Sequence, residues 1–270
     1  MFQAKRATPA RGHLHRAFWA MGLLVIIGMM VPLLVVIILS FNAGNELVFP
    51  PKGISLKWYL NIFKHPVFMS SFQFSVILGG VATLISLVVG LSGALVLTRR
   101  RFKGAEVISS LLLSPLVVPQ VVIGMSFLTL FSMMHIYQSL PSLLALHIVL
   151  TLPYTLRVFV ANLSRCPISL EEAAMVLGAG KYRAFVETTL PMIKPGIVAA
   201  SIFSFVTSFD NITASQFLIW DRTTLPIEIY AYITKENDPT VAAVSGVLIL
   251  MTTGLVLAME RWVGLETVTG

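Results

Sequence analysis

Residues 166–196 read CPISLEEAAMVLGAGKYRAFVETTLPMIKPG, a polar and charged stretch that stands between two long apolar segments. Ser169, followed three positions later by Glu172, matches the capping box that opens many helices, so we predict a helix that starts at Ser169. Two glycines, Gly178 and Gly180, end it. Apolar residues recur along it at the spacing of one helical face, at Leu170, Ala173, Ala174 and Leu177.

On both sides of this stretch, long apolar segments dominate the chain. Of its 270 residues, 56% are hydrophobic and 11% are charged, whereas a soluble domain carries about a quarter charged residues. Crossing a bilayer takes about 20 mostly apolar residues. The chain is therefore expected to be an all-α membrane protein with six transmembrane helices in one domain, residues 17–263, between tails at 1–16 and 264–270. The predicted spans are residues 17–41, 70–97, 107–131, 141–160, 196–220 and 241–259.

The basic residues predict the orientation of these spans. With the N-terminus placed in the cytoplasm, fourteen of the 19 Lys and Arg residues lie inside. The five that lie outside are Lys52, Lys57, Lys64, Arg222 and Lys235. By the positive-inside rule, both termini and the loop 166–195 are expected in the cytoplasm. The formal charge of +7 is thus an orientation signal and indicates no nucleic-acid partner.

The amphipathic helix of this cytoplasmic loop has to bury its apolar face. It can pack on its own bundle, lie on the membrane surface, or dock into a groove on a partner protein. The residues alone leave these three alternatives open.

Two spans carry packing signals. In the third span, Pro115 and Pro119 predict a break, which lipid tolerates only where protein or a cavity satisfies the freed backbone groups. Gln120 follows directly and either lines a pathway or bonds a neighbouring helix. In the second span, small residues at every fourth position predict close helix packing, at Ala82, Ser86, Gly90 and Ala94.

The cytoplasmic loop resembles a known motif. Glu172-Ala173-Ala174, then Gly178, then Leu190-Pro191 stand at the spacing of the EAA motif of ABC-importer permeases, EAA-x3-G-x9-I-x-LP, with Thr188 in place of the isoleucine. The resemblance implies the type I ABC importer permease fold. In that family this loop is the coupling helix, which sits in a cleft of the ATP-hydrolysing subunit. The resemblance thus implies ATPase-coupling roles for Ser169, Glu172, Ala173, Ala174, Gly178, Arg183, Leu190 and Pro191.

The resemblance extends over roughly residues 15–262 and points to one branch. The matching motifs resemble those of spermidine/putrescine permeases, which implies import of a polyamine or a related small amine. The alternative is the same architecture importing ferric iron, an opine, a phosphonate or another small solute. The motifs are PxxxPQxxxG at 115–124, LPY at 152–154, SFDN at 208–211 and TLPxxIY at 224–230.

The chain lacks the features of an ATPase. A phosphate-binding loop reads GxxxxGK[ST], but the one Gly-Lys pair, Gly180-Lys181, is followed by Tyr182. The chain is thus expected to be no enzyme and to hold no cofactor, with ATP and Mg bound by a partner ATPase. The scattered histidines and the single cysteine, Cys166, predict no metal site.

The resemblance also implies an assembly in the bacterial inner membrane. One EAA loop makes the chain half of a permease pair, and spermidine/putrescine-type systems pair two different permeases. The expected partners are a second, different permease chain, two ATP-binding cassette subunits, a periplasmic substrate-binding protein and the lipid bilayer.

Asp210 is the one acid in the interior of a predicted span. Charge in lipid is expensive and usually functional. Asp210 either faces the pathway and suits a cationic substrate, or is a structural acid bonded to Asn211, Thr213 or another helix near a periplasmic gate. With Gln120 and Ser208, Asp210 and Asn211 are the pathway or gate candidates.

An ion-coupled transporter or a channel is the alternative from a different class. Ion coupling usually brings several intramembrane charges or paired broken helices in repeated halves. The chain has one such acid and no clear internal repeat.

Overall fold

The computed structural model describes residues 9–100, 102–136 and 138–263, and helices dominate these residues. The predicted tail 264–270 lies outside them, as do residues 1–8 of the predicted tail 1–16, while residues 9–16 belong to the first helix. The helices are α1 (Pro9–Ser40), α2 (Lys57–Ile62), α3 (Pro66–Arg99), α4 (Ala105–Leu113), α5 (Gln120–Met133), α6 (Leu140–Leu163), α7 (Ser169–Val176), α8 (Lys181–Ala184), α9 (Leu190–Phe209), α10 (Leu225–Ile233) and α11 (Thr240–Val263).

Five helical stretches are long and apolar enough to cross a membrane, and a bent helix pair makes a sixth if it counts as one span. This confirms the all-α membrane class. The five stretches are Phe18–Ser40, Pro66–Arg99, Leu140–Leu163, Lys181–Phe209 and Thr240–Ala258.

The helices belong to two compact units. Among the described residues, the first combines 9–64 with 236–250, and the second combines those in 65–235 with 251–263. In the first unit, buried Asn42 organises the segment after α1. Its Oδ1 accepts hydrogen bonds from the backbone N–H groups of Gly44 and Lys52, and its Nδ2 donates to the Glu46 carbonyl, each at 2.9 Å.

In the second unit, α3 and α6 pack closely through the small residues of α3. All four, Ala82, Ser86, Gly90 and Ala94, are buried, which confirms the predicted packing face. A Cβ on Gly90 would lie 2.2 Å from Thr155 Oγ1 of α6, so only glycine permits this approach. Ser86 and Thr151 then share a hydrogen bond of 2.7 Å between their hydroxyls.

The third predicted span is broken at its prolines, as expected. A short 3₁₀ turn, Ser114–Leu116, follows α4, and Pro119 is the residue before α5. The stretch Ala105–Leu116 and helix α5 meet at 101°, so residues 107–131 do not form one straight span. Proline lacks the N–H and clashes with the preceding turn, which explains the bend.

The fifth predicted span, residues 196–220, is corrected by the structure. The helical stretch runs from Lys181 to Phe209, and a π turn, Phe185–Thr189, joins α8 to α9. The N–H of Leu190 donates to the carbonyl of Phe185, five residues back, and this wider turn accommodates the ring of Pro191. Residues 210–224 leave the helix, apart from a short 3₁₀ turn at Ser215–Phe217.

Candidate functional sites: the loop after α6 and a buried polar network

The loop between α6 and α9 contains the predicted helix, but the helix begins differently. Ile168 is the residue before α7, and Ser169 is already inside the helix, with no side-chain cap. The N–H of Leu170 donates to the carbonyl of Pro167, so the first turn starts at the proline. The predicted capping box of Ser169 and Glu172 is therefore wrong, although the helix that it predicted is present.

Gly178 ends α7 in the predicted way. Its φ is +94°, in the left-handed region that favours glycine. The N–H of Gly178 donates to the Met175 carbonyl, and the N–H of Ala179 donates to the Ala174 carbonyl, both at 3.0 Å. These two bonds form a Schellman motif. The conformation of Gly178 thus sets the direction in which the chain leaves α7.

The apolar face of the loop is exposed rather than buried on its own bundle. Leu177 of the predicted face exposes 89% of its surface, and Val176 and Tyr182, elsewhere in the loop, expose 87% and 81%. Leu170 and Ala173 are exposed and Ala174 is half-buried. Three alternatives were open for this face. The structure gives no support to packing against its own bundle, which leaves docking on a partner protein and contact with the membrane surface.

The other predicted coupling residues have mixed surroundings. Arg183 Nε donates to Glu187 Oε1 at 2.7 Å, and both side chains are exposed. Leu190 is half-buried, while Glu172 and Pro191 are exposed. The side chain of Glu172 is therefore accessible, and its coupling role stays a prediction.

Glu171, which the sequence did not single out, anchors the loop to the bundle. Its Oε1 accepts a hydrogen bond of 2.9 Å from Arg99 Nη2 and another from Thr189 Oγ1. Arg99 Nη1 donates to the Cys166 carbonyl at 2.9 Å. Burial raises the pKa of the Cys166 thiol, and neighbouring Glu171 adds to this while Arg99 opposes it. A sequence signal existed in the two adjacent acids, but only the fold shows which one faces inward.

A polar network that is buried apart from Gln120 lies near the N-terminal end of α6 and the C-terminal end of α9. His147 Nδ1 and Ser208 Oγ are 2.6 Å apart, and His147 Nε2 and Ser215 Oγ are 3.0 Å apart. Asn211 Oδ1 accepts from Ser215 Oγ at 2.9 Å, and Asn211 Nδ2 donates to Gln120 Oε1 at 2.9 Å. Three of the four pathway or gate candidates thus meet in one network.

Asn211 also explains why α9 stops. Its Oδ1 accepts from the backbone N–H groups of Ala214 and Ser215, at 3.2 and 3.1 Å. Such local side-chain bonds offer the backbone an alternative to the helix. Gln120 is exposed and bonds Asn211, so the bond to a neighbouring segment is present and the pathway role stays a prediction.

Asp210, the fourth candidate, stands apart from this network. It follows the last residue of α9, is exposed, and forms no side-chain hydrogen bond or ion pair among the described residues. The alternative of a structural acid bonded to Asn211 or Thr213 is therefore not observed. His147 and Ser215 complete the network instead. A histidine inside a span was a usable signal, because polar groups in lipid need partners.

A polar cavity of about 540 Å³ lies between the start of α3 and the segment before α10. Ser71 and Thr223 bond through their hydroxyls at 3.0 Å, and Thr223 donates to Glu228 Oε2 at 3.2 Å. Two acids and one base line the cavity, Asp221, Glu228 and Arg222.

Comparisons with known proteins agree with this architecture. Residues 84–263 match the family described as binding-protein-dependent transport system inner membrane component. The putrescine transport system permease protein PotI of Escherichia coli strain K12 is 30% identical over 233 residues, which cover 83% of this chain and 82% of PotI. The spermidine/putrescine transport system permease protein PotC of the same strain is 26% identical over 231 residues, 85% of this chain and 87% of PotC.

A solved structure shares the fold. It is a bacterial alginate ABC transporter in complex with an alginate pentasaccharide-bound periplasmic protein. The TM-score is 0.71 at 15% identity, with 97% of each chain covered. The sequence match covers most of the chain, and the structural match supports the same architecture. The chain belongs to the family of binding-protein-dependent transport system inner membrane components, the permease subunits of ABC importers.

Proposed function

We propose that this chain forms half of the substrate pathway of an ATP-driven importer of polyamines or related small amines. The exposed apolar and aromatic residues of the loop after α6 carry the coupling part of this proposal. Val176, Leu177 and Tyr182 are large apolar or aromatic side chains that would be costly to leave in water. A short amphipathic helix fits a hydrophobic groove on a partner protein.

The partner for this face is a separate ATPase subunit, which holds ATP and Mg. Exposed Glu172 and Arg183 add charged groups to the edge of the apolar face, as a polar rim would. With both termini and the loop in the cytoplasm, the complete importer contains a second, different permease chain, two ATP-binding cassette subunits and a periplasmic binding protein.

Cross-linking tests the coupling part. A photoreactive maleimide on Leu177→Cys should cross-link to the ATPase subunit in the intact complex. The matched control is Ile54→Cys, because Ile54 is equally exposed at 89% but is expected outside. No cross-link from Leu177→Cys would refute the docking surface, and a cross-link from Ile54→Cys would refute the topology.

Acidic groups beyond the end of α9 support an amine substrate. Asp210 is exposed and unpartnered among the described residues, and Asp221 and Glu228 line the polar cavity against one base, Arg222. Carboxylates favour a passing polycation, and weak sites suffice because conduction requires release as well as binding. The names of PotI and PotC agree with this substrate class.

The buried polar network fits the role of a gate. Gln120 on α5, Ser208 on α9 and Asn211 in the segment beyond it are linked through His147 and Ser215. Exchange of these bonds would let the segment after α9 move against α5 and α6. A gate requires a second arrangement of these bonds in addition to the observed one.

Uptake measurements test the substrate and Asp210. Asp210→Asn should slow putrescine and spermidine uptake by a few-fold and leave the ranking of substrates unchanged, because selectivity resides mainly in the binding protein. Asp238→Asn is the control, because Asp238 is an acid that is not among the pathway candidates. Unchanged uptake in a well-inserted Asp210→Asn protein would remove Asp210 from the pathway. A cognate binding protein that holds ferric iron, an opine or a phosphonate and ignores amines would move the chain to another branch.

A further inference from the structure

One carboxylate joins the loop after α6 to three parts of the bundle. Glu171 lies in the first turn of α7, and its Oε1 accepts bonds from Arg99 and Thr189. Arg99 is the last residue of α3, and Thr189 is the last residue of the π turn before α9. Through Arg99, the pair also holds the carbonyl of Cys166, just after α6. The ends of α3, α6 and α9 thus meet at one charged side chain.

The surroundings distinguish Glu171 from its neighbour. The side chains of Arg99 and Glu171 are 15% and 18% exposed, and Thr189 is buried. Glu172, one residue later, is exposed. Arg99 Nε is buried and has no partner among the described residues, so the guanidinium depends on Glu171 and the Cys166 carbonyl. Glu171 therefore faces the bundle, whereas Glu172 faces outward.

We propose that Glu171 is the positioning residue through which α7 moves the membrane helices. The inference rests on the proposed function, in which the ATPase grips α7. If the ATPase binds α7 and displaces it, the displacement reaches the membrane helices only if α7 is bonded to them. Charge-assisted bonds with little solvent access make such a tie, because they are short and geometrically specific. The tie reaches α9 at the π turn, where the ordinary helical bonding pattern is interrupted.

The helices tied by Glu171 also reach the buried polar network. His147 lies sixteen residues before the end of α6 at Leu163, or about 24 Å at 1.5 Å per residue. Ser208 lies near the end of α9. A displacement at the Glu171 end of α6 and α9 thus acts on the same helices that hold His147 and Ser208.

The test uses the complete importer, reconstituted with its ATPase, second permease and binding protein. Two quantities are measured: putrescine moved per ATP hydrolysed, and the stimulation of ATP hydrolysis by the loaded binding protein. Glu171→Gln keeps an acceptor oxygen but removes the charge that pairs with Arg99, and it should lower both by about tenfold, the order of a bond between charged groups. Co-purification of the ATPase should persist. Glu106→Gln is the matched control: Glu106 is an exposed acid in the first turn of α4, outside the loop, and its replacement should leave both quantities unchanged.

A double variant distinguishes a loss of movement transmitted through Glu171 from a loss of stability of the protein. Breaking a buried pair on one side leaves an uncompensated charge, whereas replacing both partners can be nearly neutral for stability. Arg99→Met with Glu171→Gln should therefore restore the unfolding temperature but leave both coupling readouts low. Restored coupling in the double variant, or an unchanged ratio and stimulation in Glu171→Gln, would overturn the positioning role. If the wild-type complex moves no putrescine, the proposed substrate fails, and stimulation of ATP hydrolysis by the binding protein loaded with its own ligand still decides the role of Glu171.

Discussion

Replacing Gly178 by alanine should weaken docking of the ATPase through backbone strain alone. The φ of Gly178 is +94°, and a Cβ there would meet no atom within 4 Å, so crowding contributes nothing. The left-handed conformation costs a residue other than glycine roughly 1–2 kcal/mol. If the partner binds only the native turn, this strain lowers ATPase affinity by roughly 5- to 30-fold.

Gly180 supplies a control in the same loop. Its φ is −68°, and a Cβ there also meets nothing within 4 Å, so Gly180→Ala should leave affinity unchanged. Gly178→Asn should recover part of the loss, because asparagine tolerates the left-handed region. The assay is ATPase titration onto the permease pair in nanodiscs, with putrescine uptake measured in parallel. Equal affinities for Gly178→Ala and Gly180→Ala would refute the argument.

Three further predictions concern the bundle. Gly90→Ala should lower the unfolding temperature in detergent, since overpacking costs about 1–3 kcal/mol, whereas Gly80→Ala in the same helix meets no atom within 4 Å and should not. Alanine at Asn211 and at Gln120, singly and together, should give a coupling energy of roughly 0.6 kcal/mol in unfolding measurements, the membrane average for such pairs; additive effects would exclude the bond. Burial of Cys166 limits the access of a reagent, and the raised pKa of its thiol lowers the thiolate fraction further, so maleimide labelling should be slow, rise with pH and become fast on unfolding; rapid labelling at neutral pH would contradict its burial.

Much of the fold was predictable because a helix that crosses a lipid bilayer has to be long and apolar. The second and fourth spans were located by composition, and the stripe at Ala82, Ser86, Gly90 and Ala94 correctly predicted close packing. The fifth span was misplaced, because apolar composition continues past Phe209 while the backbone does not. Asn211 bonds the following N–H groups, and the π turn before Pro191 lets the helix begin earlier.

The candidate sites were predictable in part. The spacing of the loop motif predicted α7 and the turn at Gly178. The residue after this helix has a left-handed conformation, which favours glycine, and a glycine at a helix end can be recognised in the sequence. Which of two adjacent acids faces the bundle depends on where α3 ends, and Arg99 is far from Glu171 along the chain. His147 likewise acquires partners only when α6 and the segment after α9 come together.

The most direct test of the central claim is ATP-driven uptake in proteoliposomes that contain this chain, its permease partner and the ATPase. With loaded binding protein outside and ATP and Mg inside, we predict that putrescine accumulates against its gradient, and that accumulation stops when ATP hydrolysis is blocked. Putrescine movement that runs only downhill, or that continues without ATP and follows an ion gradient, would contradict the account and favour a channel or an ion-coupled transporter.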